Sequence, residues 1–144
     1  MKAKEYLKQV IKIDKMINNK MYESMQWKSV ALGTTVPITG ERVQSSSSSK
    51  SKMADAMDKY MDIQAEINAD IDRLIAARQD IIKLIEQLSA VEYDVLHKVY
   101  IQLKTFDVVA IETNHSYSWV TTVHGRALKH VQELLNKKGV QEYD

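Results

Sequence analysis

Apolar residues recur along most of this chain at intervals of three and four, while strict alternation is scarce, so the pattern predicts helices and no sheet. Tyr6, Val10, Ile13, Ile17, Met21 and Met25 line up as one stripe along a first helix of about eight turns. A second and longer series, Tyr60, Ile63, Ile67, Ile71, Leu74, Ile81, Ile85 and Leu88, keeps nearly heptad spacing with Arg78 as its polar interruption, which is the pattern of a coiled-coil seam. A lone helix cannot bury such a seam. It is expected to pack on the first helix, on a second copy of itself, or on both. Between the two series, residues 33–52 contain Pro37, Gly40 and a serine run from Ser45 to Ser51, a flexible connector by composition. Its length permits an antiparallel hairpin, which would set Lys12 and Lys15 near Asp70 and Asp72.

The pattern changes at Ser89. Ser89 and Glu92 form S-x-x-E, a capping box that would satisfy two otherwise free N–H groups and start a new helix directly after the seam ends at Leu88. Leu96, Val99, Tyr100 and Leu103 supply this helix with an apolar face. The stretch Lys104 to Gln132 then has the spacing of a helix-turn-helix: a small Ala110 where two helices cross, Asn114 at the turn, and Val120 on the inner face of the next helix. Asn tolerates the left-handed conformation needed at a helix C-terminus, and Ser116 is placed to cap a helix starting at Tyr117. Val109, Val120 and Val123 would make the internal contacts, and Tyr117, Ser118, Thr121 and Thr122 would face outward from the second helix, the one that enters the major groove in this motif. Trp119 is expected to pack over the helix that starts at Ser89, and Trp27 to end the apolar stripe of the first helix. The expected organisation is a long-helix oligomerisation region over 1–88, a three-helix module over 89–138 and a tail over 139–144.

The run SAVEYDVLHKVYIQLKTFDVVAIETNHSYSWVTTVHGRALKHV resembles the promoter-reading C-terminal module of bacterial sigma factors, and is more closely similar to phage-encoded transcriptional regulators of the ArpU and RinA kind. The pieces YLKQVIKIDKMINNKM and TGERVQSSSSSKSKMADAMDKYMDIQAEINADIDRLI resemble the N-terminal half of those phage proteins, so nearly the whole chain is covered, with HGRAL, His124 to Leu128, the most specific element. The resemblance implies a DNA-binding regulator, an activator of late genes, with duplex DNA and RNA polymerase as partners. It also implies that Tyr117, Ser118, Thr121 and Thr122 face the bases. Where sigma-like modules usually carry charged or amide residues at these positions, this chain carries none.

Charge alters the picture more than composition does. Net charge is +1, yet Met1 to Ala31 holds seven Lys against three acids, and Met53 to Leu88 holds eight acids against four Lys or Arg. Behind the outward helix, Arg126, Lys129, Lys137 and Lys138 stand against Glu133, a basic face of the kind that holds phosphates. Arg126 and Lys129 are therefore the candidate phosphate contacts. The ladder Asp58, Asp62, Glu66 and Asp70 is expected to be a solvated or ion-paired face and not a metal site.

With 144 residues and 44% apolar content the chain can fold around a core. It contains no Cys, no apolar run of membrane-spanning length and no signal-peptide stretch at MKAKEYLKQV, so a cytoplasmic protein without a membrane partner is expected, at the nucleoid when bound to DNA. His97, His115, His124 and His130 lack metal-ligand spacing, and no Gly-rich phosphate loop occurs, so no catalytic residue, metal or cofactor is assigned. The expected fold is all-α, a long helical hairpin or coiled coil followed by a small helix-turn-helix module. The expected function is a non-enzymatic regulator that binds duplex DNA as a homo-oligomer, a dimer or higher. Two alternatives stand beside it: a DNA-packaging recognition subunit of the small-terminase type, and a protein-interaction scaffold.

Overall fold

The seam expected between the two long helices forms, though on a different set of residues from the apolar series. The computed structural model describes residues 1–33 and 46–142, and no strand occurs among them. The helices are α1 (Ala3–Leu7), α2 (Gln9–Ala31), α3 (Ser46–Ile85), α4 (Ala90–Leu96) running into one π-helical turn (His97–Ile101), α5 (Phe106–Thr113) and α6 (Tyr117–Glu142). The all-α expectation holds. Of the connector expected over 33–52, residues 34–45 lie outside the described residues, Gly33 takes a left-handed φ of 68° that suits a residue without Cβ, and the part from Ser46 onward is already α3.

Two compact units divide the chain, residues 14–73 and residues 1–13 with 74 onward. The first is an antiparallel helical hairpin. Its register is read from three contacts: Lys20 Nζ donates to Asp70 at 2.7 Å, Gln64 Nε2 donates to Ser24 Oγ at 2.6 Å, and Lys59 Nζ lies 4.4 Å from the centre of the Trp27 ring. Asp70 therefore meets Lys20 and, at 3.1 Å, Arg73, and not the expected Lys12 or Lys15. Buried positions follow a strict three-four spacing, Ile17, Lys20, Ser24, Trp27 and Ala31 on α2 and Ala56, Tyr60, Ile63, Ile67 and Asp70 on α3, each buried or half-buried. Met21, Met25 and Ile71, expected inside, are exposed. The heptad registers that bury Val10 and Ile17, or Ile63 and Ile67, carry Lys20, Ser24 and Asp70 inward, and hydrogen bonding makes that tolerable. The bond from Lys20 holds the Asp70 carboxyl below its ordinary value, and the same bond raises the Lys20 ammonium.

The second unit, the module, has a continuous apolar core. Ile81, Leu84 and Ile85 of α3, Leu96 of α4, Tyr100 and Ile101 of the π turn, and Ala127 and Val131 of α6 enclose Ala3, Leu7 and Val10. These units do not follow the expected division at Ser89, because the first residues of the chain complete the C-terminal core. The Ala3 N–H donates to Gln132 Oε1 at 2.8 Å, and Gln132 Nε2 donates to the Met1 carbonyl at 3.4 Å. The expected tail is also shorter, since α6 continues to Glu142.

Ser89 caps α4 as expected, its hydroxyl accepting from the Glu92 N–H at 3.3 Å. The other half of the capping box is replaced: the buried Glu92 carboxylate lies against α6, 2.6 Å from His130 Nδ1 and 3.4 Å from Arg126 Nε. After α4 the ladder widens, with the Gln102 N–H donating to the His97 carbonyl at 2.9 Å and Leu103 taking a left-handed φ of 58°. This turns Tyr100 and Ile101 inward and leaves Leu103 exposed, contrary to its expected packing role.

Candidate nucleic-acid interface

Short polar side chains fix the helix-turn-helix at each corner. Thr105 caps α5 by accepting from the Val108 N–H at 3.4 Å, Asn114 ends it in the left-handed conformation with φ 56° and ψ 41°, and Ser116 opens α6 by accepting from the Trp119 N–H at 3.0 Å. Inside the corner, Val109, Ala110, Val120 and Val123 close on Val95 of α4, with Phe106 and Trp119 packed against them. His115 covers the turn, its ring stacked 3.5 Å from that of Trp119. Thr113 sits in the same corner with its hydroxyl donating to the Val109 carbonyl at 2.7 Å, which removes its need for water.

His124, from the HGRAL run, is a core residue. Its Nε2 lies 2.7 Å from the Tyr100 hydroxyl, and its ring centre lies 4.9 Å from that of Phe106. Burial pushes the Tyr100 phenol up to about 12. Burial, and then the nearby Lys4 cation, lower the His124 imidazole, so the pair is neutral at neutral pH.

The outer face of α6 gathers most of the residues expected there. Ser118, Thr121, Thr122 and Lys129 are exposed and lie within about 100° of arc on the helix. Both threonine hydroxyls donate back along the helix, Thr121 to the Tyr117 carbonyl at 2.7 Å and Thr122 to the Ser118 carbonyl at 2.9 Å. Outward they present methyl groups and oxygen lone pairs, which suit a thymine methyl or a base amino group and not a base acceptor. Tyr117 stands at the edge of this face, exposed but with its ring 5.9 Å from Phe106. Arg126 is exposed too, yet leans towards α4, where Glu92 holds it.

Gly125 lies in the middle of this face. A Cβ built there would meet nothing within 4 Å, so the fold has no packing need for glycine at a position where it costs about 1 kcal/mol relative to Ala. Glycine inside an exposed helix face leaves the backbone open to close approach.

Sequence reasoning missed the lysines of the first segment as part of this site. Segment 74–144 carries eight Lys or Arg against nine Asp or Glu, whereas segment 1–13 carries four Lys against one Glu. Docking of α1 on α6 therefore turns the module from slightly acidic to basic, with Lys4 near His124 and Lys2 and Lys8 exposed beside it. The local Lys excess was visible in the sequence, but its place beside α6 depends on a contact between residues more than a hundred positions apart.

Among the described residues no group of three or more His, Asp or Glu side chains converges as a metal site would, and no helix is long and apolar enough to cross a membrane. No family model matches the chain, nor does any curated protein or solved structure in a search by sequence or fold.

Proposed function

We propose that the protein is a transcriptional regulator of the phage type that binds duplex DNA as an oligomer, with the outer face of α6 in the major groove. The observation that carries this reading is the composition of that face: Ser118, Thr121, Thr122, Gly125 and Lys129 form a small, hydroxylic, ungated surface on a helix held at its N-terminus by a capped turn. Lys129 and the lysines of α1 would hold phosphates on either side, while Arg126 would first have to leave Glu92. Because the base-facing groups are hydroxyls and methyls, phosphate contact would supply most of the affinity and the threonines a modest preference among sequences. Activation of late genes, and action at the nucleoid of a host cell, belong to the same proposal.

Fluorescence anisotropy with labelled duplexes over a salt series tests it. Affinity should fall steeply with salt, and Lys129→Glu should weaken all duplexes alike and flatten the slope by about one. A folded protein that shows no duplex affinity at low salt would end the reading.

One observation favours a second partner. On α5, Ile111 is 76% exposed and Val108 39% exposed, so the side of the turn away from the core offers apolar surface. RNA polymerase, or another protein, is a fitting partner for it, and this is the form in which the scaffold reading survives.

A further inference from the structure

The hairpin has two sides of opposite character. In an antiparallel pair, residues that directly follow a seam position fall on one side of both helices, and residues that directly precede one fall on the other. The preceding side carries charge: Glu23 on α2 and Asp55, Asp62 and Glu66 on α3, all exposed. The following side carries Met21 and Met25 on α2 and Met57, Met61 and Ile71 on α3, exposed by 51%, 67%, 41%, 60% and 39%. Five large apolar side chains on one side of two adjoining helices make a contiguous strip, depleted of charge and rich in Met, as interface cores are.

Along residues 14–28 and 57–71 this strip holds two charged side chains, Asp14 and Lys28, each seven residues from Met21 and of opposite sign. Seven residues are two helical turns, about 10 Å, so both lie on the same line of α2 as Met21. A twofold axis through Met21, perpendicular to the helix, would set Asp14 of each copy opposite Lys28 of the other. The strip is thus complementary to itself in charge as well as in polarity, the condition for an isologous interface.

We infer that a second copy of this chain covers the Met21, Met25, Met57, Met61 and Ile71 side of the hairpin, with the two α2 helices antiparallel and crossing at Met21. The strip is about 20 Å long and two helices wide, close to the lower end of stable interfaces, so the dimer should form at micromolar concentration. This rests on the oligomer part of the function proposed above and not on DNA contact.

The test uses the full chain. Light scattering should give a dimer, and Asp14→Lys, which places like charges together twice, should weaken it roughly tenfold. The double change Asp14→Lys with Lys28→Asp should restore it, which a merely structural role for either residue would not do. Because the chain has no Cys, Met21→Cys treated with a short bismaleimide should give a covalent dimer, and Glu23→Cys, on the charged side, should not. A parent protein that is monomeric at about 100 μM would overturn both the strip and the oligomer reading. A dimer whose Met21→Cys variant does not crosslink, or whose double reversal fails to recover, would overturn the strip and leave the oligomer reading intact. A ring-sized assembly would also overturn it, since an isologous face closes at two copies.

Discussion

The hairpin and the module solve the problem of burying helices in opposite ways. In the module, Leu7, Val10, Ile85, Leu96, Ala127 and Val131 are nearly or wholly inaccessible to water, and its buried polar groups are matched in pairs, His124 with Tyr100 and Glu92 with His130. In the hairpin, Lys20, Ser24 and Asp70 occupy seam positions, and five Met and Ile side chains stay outside. A seam with polar members gains register more than depth, as a buried polar residue does in a coiled coil. The module therefore has its stability inside, and the hairpin keeps part of its apolar surface on offer.

The largest difference should appear on truncating apolar side chains. Leu96→Ala removes a side chain with no exposed surface and should cost roughly 2 to 5 kcal/mol in urea unfolding. Ile71→Asp, on the hairpin, should change monomer stability by about 0.5 kcal/mol or less while weakening self-association. Similar losses of stability for the two would erase the contrast. Next in size is the effect on DNA: Lys4→Glu combined with Lys129→Glu should reduce the salt slope of duplex binding by about two, one for each phosphate contact. An unchanged slope for Lys4→Glu alone would remove α1 from the site.

Acid should then separate the two regions by pH. The His124 imidazole is lowered in the folded protein, so the unfolded chain takes up its proton first, and this share of module stability, present above the ordinary value of 6.5, is lost as pH falls below it. Burial lowers His97 as well, in the same sense. The Asp70 carboxyl is also lowered, but from 3.8, so its share of hairpin stability persists above that value and is lost only as pH falls through and below it. The raised Lys20 contributes below its ordinary 10.5 and is lost as pH rises through the higher folded value. Between about pH 6 and pH 4.5 the module should weaken while the hairpin holds. Each region carries one Trp, Trp27 or Trp119, so fluorescence of the Trp27→Phe and Trp119→Phe variants reads them separately. Parallel loss of both signals would show that the His–Tyr pair does not set the acid response.

The smallest effect is the most diagnostic for the α6 face. Gly125→Ala should stabilise the module by about 0.5 to 1 kcal/mol, since nothing obstructs a methyl group and helix propensity improves. If the backbone there approaches DNA closely, the same variant should bind duplexes less tightly. A gain in stability with unchanged affinity would move the contact away from Gly125.

Local chemistry determined the turn and the helix starts. Asn114 in the left-handed region, Ser116 and Ser89 as caps, and Val109, Val120 and Val123 inside all follow from neighbouring residues, because a capping oxygen or a left-handed residue acts within one turn of chain. The choice of apolar stripe did not follow, since Met21 and Ile71 look as suitable for a seam as Ile17 and Ile67, and what decides is which positions the partner helix can cover at a shared heptad register. Nor could spacing show that Glu92 would leave its cap for Arg126 and His130. The same holds for α1, whose lysines join the α6 face only because Ala3 and Leu7 fill a gap in a core built from residues far along the chain. Hydrogen bonds to neighbours are local and legible in order, whereas burial depends on every surface that competes for the same space, and only the folded chain settles that competition.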